Sequence, residues 1–389
     1  MSNIYNFIKK FLVPYVVTFI IAAYNLRIGS ILSPESFSRI SSADYLIAFE
    51  FNYFIFFDTF SFVVFLPEIL IITLIAFLKI LFPYGWMEYF LYINITVVFF
   101  IIYLFQRSML HLKINNEVVT ICCFLFIFSI DFLTWPRYIL IDTIYVGLSF
   151  ILIITTLSIS SFNTKKIFTW FLCILLILLS SQNALPIVVM SIFLLSIYRI
   201  KLNGTFTLIS LLSLFLLTAL LYSIFTTQVM NDSYLSEWSQ QTMSLEKLGI
   251  VIHSRPETYI NISNDFFGFL KLFCYRFFSF FNPYASSFSS IHNVFNSVIS
   301  IVYFSGLVLS TWNWKFITSQ HQQYFLKLNL FIFSIAIFHS STLIDSDWRF
   351  RFPTIILMIM VGAISMQSIL NSSKTGATIN SRGNIAQKK

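Results

Sequence analysis

Ten blocks of 15 to 21 mostly apolar residues recur along this 389-residue chain, at 11–29, 89–106, 117–134, 141–160, 167–181, 185–199, 206–225, 291–311, 324–343 and 353–371. A helix needs about 20 residues to cross roughly 30 Å of hydrocarbon, and each block nears that length. Inside lipid the backbone must satisfy its own hydrogen bonds, which restricts the chain to helices or closed barrels. Barrel strands alternate apolar and polar positions over about ten residues, and these blocks do not. The expectation is an all-α fold, a polytopic transmembrane helical bundle of about ten spans. Composition agrees: 10% of residues are charged and 58% hydrophobic, whereas a soluble domain carries about 25% charge.

The net charge of +8 does not point to nucleic acid. The basic residues stand singly or in pairs beside apolar blocks, as they do at cytoplasmic flanks of spans. Cys122, Cys123, Cys173 and Cys274 lie in apolar stretches without metal-ligand spacing and read as packing residues.

One block leaves the topology open. Leu66 to Pro83 is apolar enough to cross, yet carries Pro67, Glu68 and Lys79. If it lies on the outer surface, fourteen of the 24 basic residues become cytoplasmic, among them Lys113, Lys165, Lys166 and Lys315, and of the 16 acidic residues only Glu117 falls inside. If it spans, the basic loops at 107–113 and 165–166 become external, against the positive-inside tendency. The first layout places both termini in the cytoplasm. It leaves two long external segments, 30–88 and 226–290, whose aromatic-rich stretches suit interfacial helices. Residues 1–371 form the membrane domain, and the polar, basic tail at 372–389 is expected to be disordered.

Most carboxylates therefore gather on one side. Asp44, in the first external segment, is a candidate general base if desolvation raises its pKa; the competing reading is a helix-capping Asp. Asp131 and Asp142 flank the turn Thr134-Trp-Pro-Arg-Tyr138 and either orient a hydroxyl, hold a divalent metal ion or are neutralised by Arg137. Arg349 and Arg351, in Asp345-Ser-Asp-Trp-Arg-Phe-Arg-Phe-Pro353, present forks suited to phosphate oxygens. The second external segment adds Arg255 and Arg276. His292 and His339 read as hydrogen-bonded residues at span ends. Phosphate-binding Gly-rich loops, dinucleotide fingerprints, nucleophile elbows and His-Glu-x-x-His are all missing from the sequence.

In this layout the chain resembles the GT-C superfamily of membrane glycosyltransferases. Asp44-Tyr-Leu-Ile-Ala looks like that family's first-loop Asp segment, and Leu66-Pro-Glu68 through Phe82-Pro-Tyr-Gly85 like the juxtamembrane helix after it. Leu140-Ile-Asp142-Thr143 resembles the Asp at the outer start of a middle span. Asp347-Trp-Arg349-Phe-Arg351-Phe-Pro353 is similar to the start of a late span. The resemblance implies a bacterial inner-membrane enzyme with an outward-facing site, moving a sugar from a polyprenyl-phosphate carrier to an envelope glycan or lipid acceptor. Asp44 would take the acceptor proton, with Glu50 and Asp58 as alternates. Arg349, Arg351 and Arg276 would bind the leaving lipid phosphate, and Arg255 and Asp347 are further alternates for the site as a whole. Asp131 and Asp142 would orient the acceptor or hold a metal. A repeat-unit polymerase using a pyrophosphate-linked donor is the nearest rival, and a transporter or lipid-linked glycan flippase the next.

Overall fold

The computed structural model describes residues 2–60, 65–159, 164–197, 202–213, 266–284, 289–341 and 351–386. The described chain is all helix, apart from one isolated bridge between Ile31 and Tyr138. In chain order the helices are α1 Ser2–Ile28, α2 Pro34–Ala48, α3 Tyr53–Thr59, α4 Ile69–Leu81, α5 Trp86–His111, α6 Asn116–Ile127, α7 Ile130–Thr134 and α8 Asp142–Ser158. They continue with α9 Thr164–Leu178, α10 Leu185–Ser196, α11 Gly204–Ser213, α12 Phe266–Phe280, α13 Ser290–Trp312, α14 Ser319–Ser341 and α15 Phe352–Ala386.

Four of these, α5, α13, α14 and the first 20 residues of α15, are long and apolar enough to cross a membrane. A fifth crossing results if α6 and the 131–137 helix, bent by 63° at their junction, are one broken span. The chain is thus a helical membrane protein, but about ten full-length spans is more than the described helices supply. Of the other expected spans, 11–29 falls almost wholly within α1, 206–225 lies mostly outside the described residues, and three are shorter apolar helices: α8 has 17 residues, α9 15 and α10 12. At 1.5 Å per residue these reach about 26, 23 and 18 Å.

The doubtful block at 66–83 becomes a short 3-10 turn, Leu66–Glu68, followed by α4. Thirteen residues of helix reach about 20 Å, a little more than α10. Here α4 packs on α2 around Ala43, Leu46, Phe56, Ile72, Ile75 and Phe90, a core separate from that of the bundle. Two consecutive left-handed residues, Glu50 (φ 51°) and Phe51 (φ 60°), turn the chain out of α2 towards α3.

Hydrogen bonds between elements sort the helix ends into two groups. At one end Asn25 Nδ2 donates to the Leu133 carbonyl (3.1 Å), Arg137 Nε to Gly29 (3.0 Å), Leu70 N–H to Leu179 (3.0 Å) and Tyr145 Oη to Asn183 (2.8 Å). At the other, Asn115 N–H donates to Gln367 Oε1 (2.7 Å), His321 Nε2 to Leu112 (2.6 Å), Gln323 Nε2 to Leu202 (3.0 Å) and Lys166 Nζ to Ser158 (2.8 Å). The first group holds Asp131 and Asp142, and the second lies beside Lys113, Lys166 and Lys315. We call them the carboxylate end and the lysine end.

The closest helix contact in the bundle is between α13 and α15. A Cβ on Gly362 would lie 2.4 Å from Val302 Cγ1, and one on Gly306 would lie 3.2 Å from Gly362 Cα. With both glycines in place, Ser310 and Ser365 hydroxyls meet at 2.6 Å and Ser365 donates to the Gly306 carbonyl (2.8 Å). Small residues and interhelical hydrogen bonds are how helices associate where no hydrophobic force separates them from lipid.

The backbone of the expected disordered tail is helical as far as Ala386, because α15 continues into it. Extending a formed helix costs far less than starting one.

Candidate functional site

Ser33 caps α2 through a capping box with Ser36, with Pro34 at the first helical position. This places Glu35 and Arg39 four residues apart on one face, and Arg39 forms an ion pair with Glu68 at the head of α4. Further along, Lys79 Nζ meets Asp44 Oδ1 at 2.5 Å. The two pairs run in the same order on both helices, so α2 and α4 lie parallel.

The two pairs sit in different surroundings. Glu68 keeps 18% of its side chain exposed and Asp44 59%. Burial pushes the Glu68 carboxyl up to about 7, with Arg39 pulling it down and Glu35 adding to the rise. Desolvation thus outweighs the ion pair at Glu68. Asp44 was the residue expected to be desolvated. It lies open on the outside of the protein and is bridged by an ammonium. Glu50 is exposed in the left-handed turn after α2, and Asp58 is exposed on α3.

Asp131 is the buried acid, 1% exposed. Its Oδ1 accepts from Trp135 Nε1 at 3.0 Å, and His292 Nε2 lies 3.7 Å from the same oxygen. Arg137 Nε donates to the Gly29 carbonyl. Asp142 stands in the first turn of α8, half-buried, where a carboxylate complements the helix dipole. Among the described residues no three or more His, Cys, Asp or Glu side chains gather into a metal site.

Arg351 immediately precedes α15 and is 7% exposed. Its Nη1 donates to the Asn282 carbonyl at 2.7 Å, and its guanidinium lies 5.8 Å from the Phe280 ring centre. Arg276 is half-buried on α12. Asn282 also borders an open groove of about 530 Å³, walled by Tyr275, Phe278, Phe281 and Phe304. Asp347, Arg349 and Arg255 lie outside the described residues.

The fold brings Asp131 towards Arg351, because their neighbours Phe132 and Phe352 pack edge to face at 4.8 Å. It sets Asp44 apart, in the α2–α4 unit. Four participants were not singled out from sequence as site residues: Arg39, Glu68, Lys79 and His292. The Glu35/Arg39 spacing was a visible signal for the first. Compared with known proteins, the chain matches no protein-family model, no curated relative and no solved structure.

Proposed function

We propose that this protein transfers a sugar from a polyprenyl-phosphate carrier to an envelope glycan or lipid acceptor, at the membrane face reached by its carboxylate end. One observation carries the reading: the Asp44 carboxylate lies open on the short α2–α4 unit, paired with the mostly covered ammonium of Lys79. Lys79 offers countercharge to the carrier phosphate, and Asp44 accepts a hydrogen bond from a sugar or acceptor hydroxyl. Arg351 adds a second cation at the same end. The neighbouring groove, apolar with Ser279 and Asn282 among its lining residues, suits an isoprenoid chain. Developing negative charge on the leaving phosphate is what fixed cations stabilise in a transfer of this kind.

The lysine end is placed in the cytoplasm by the positive-inside tendency, which turns the carboxylate end outward. In this reading the shorter helices complete the ten-span layout with both termini inside a bacterial inner membrane.

The test is transfer by purified protein in proteoliposomes. Polyprenyl-monophosphate hexoses are one donor set, and a pyrophosphate-linked repeat unit is the other. Transfer from the monophosphate donor, weakened at least tenfold in Asp44→Asn and Lys79→Met, is expected. Activity with the pyrophosphate donor alone would establish the polymerase instead.

A further inference from the structure

Asp131 has one oxygen that its hydrogen bonding does not explain. Oδ1 takes the Trp135 indole N–H, whereas Oδ2 is buried and meets no hydrogen-bond partner. Buried polar atoms are nearly always paired, and an exception calls for a reason. A purely structural Asp131, clamping Trp135 across one turn of chain, accounts for the first oxygen only. It also leaves unexplained why an imidazole from a distant helix is brought to this carboxylate.

That imidazole is placed by its own helix. Ser289 caps α13 and its Oγ accepts from the His292 N–H (3.3 Å), which fixes His292 in the first turn. Nε2 faces Asp131 and is buried, so the 13% of the side chain still exposed belongs to the rest of the residue. The Phe132–Phe352 contact puts Arg351 at the same junction of α7, α13 and α15. The carboxylate–imidazole pair thus lies at the same end of the bundle as the Arg351 guanidinium.

We infer that His292, oriented by Asp131, is the base that takes the acceptor's proton, an assignment that rests on the sugar-transfer reading above. The acceptor oxygen bonds to the anomeric carbon while that carbon's bond to the carrier's phosphate oxygen breaks, its electron pair leaving on the phosphate. The hydroxyl proton passes to the His292 imidazole. Nε2–H remains directed at the carboxylate, which stabilises the imidazolium formed. The 3.7 Å separation is longer than a hydrogen bond; base and orienting group commonly tighten only once substrate is bound. His292 is a catalytic residue in this scheme and Asp131 a positioning one. Asp44, already engaged by Lys79, binds rather than deprotonates.

The experiment is the pH–rate profile of transfer in proteoliposomes, using polyprenyl-monophosphate glucose, galactose and mannose as donor probes. His292→Gln is expected to lower kcat about 100-fold or more, the range for loss of a general base, with little change in KM for the donor. Asp131→Asn should shift the acid limb of the profile, and His292→Gly should regain rate when free imidazole is added, a response that a clasp between helices would not give. Asp44→Asn should raise KM for the acceptor and leave the acid limb in place. His292→Gln retaining near-normal kcat, or Asp44→Asn removing the acid limb while His292→Gln keeps it, overturns the assignment. Failure of the unaltered protein to transfer from any of the three donors removes the transfer reading itself, and the assignment with it.

Discussion

The bundle core and the α2–α4 unit hold their helices together by opposite means. Between α13 and α15 the contact is made by two glycines and two serines, close enough that neutral hydrogen bonds form across the backbone. Between α2 and α4, side chains of opposite charge do part of the joining, one pair covered at both partners and one open at its carboxylate. The difference follows from surroundings. A charge placed at mid-bilayer costs about 2.5–3.5 kcal/mol on the insertion scale, whereas a neutral interhelical hydrogen bond is worth roughly 0.6 kcal/mol in a membrane and carries no such penalty. The α2–α4 pairs keep part of their charge exposed, which lowers that cost.

The comparison can be broken at its tightest point. Gly362→Leu would drive a side chain into Val302 and should lose about 3 kcal/mol or more, at the upper end of overpacking penalties. Gly204→Leu, at a site with nothing within 4 Å, should melt almost as the parent does. Thermal unfolding in detergent compares the two, and equal melting would refute the close-packed account of α13 and α15.

Arg39→Leu should come next, at roughly 1–3 kcal/mol at pH 8, since it leaves the mostly covered Glu68 carboxylate without its cation. Denaturation of Arg39→Leu alongside Arg39→Leu/Glu68→Gln tests this. The double variant should recover part of the loss, and no recovery would mean that Arg39 acts through packing alone.

The pH dependence of Glu68 follows in size. Its carboxyl is raised in the folded protein from 4.5 to about 7, so between those values the folded state holds the proton more tightly than the unfolded one. Stability should fall as pH rises from about 4.5 to 7 and level off above, on the order of 1–3 kcal/mol. Glu68→Gln should flatten this part of the curve. A parent curve with no downward slope between pH 5 and 7, relative to the variant, would count against it.

The smallest stability change belongs to Asp44→Asn, under about 1 kcal/mol as for other exposed pairs. The same substitution should cost transfer activity, so stability and function separate at this pair. A large drop in melting temperature would instead make Asp44–Lys79 a structural pair like Arg39–Glu68.

Much of the architecture was legible because hydropathy acts through the chain's own composition. Long apolar blocks made helices and excluded strands, and the charges flanking them anticipated the carboxylate and lysine ends. In the 66–83 block, Pro67 and Glu68 at its head correspond to a 3-10 turn leading into a 13-residue helix. Span count was less so, since apolar length in sequence sets an upper limit on helix length. The 117–134 block bends at Phe128–Ser129 between α6 and α7, and the 185–199 block supplies only 12 helical residues in α10.

Partners lay beyond the sequence's reach for a physical reason. Asp44 and Lys79 are 35 positions apart, and Asp131 and His292 far more; such contacts depend on how helices pack, which no local pattern encodes. The sequence by itself determined an all-helical membrane chain with its charge divided between two ends. Tertiary structure alone decided that Asp44 lies open against an ammonium and that Asp131 is buried facing an imidazole. Solvation and neighbours set a carboxylate's chemistry, and both are properties of the packed structure.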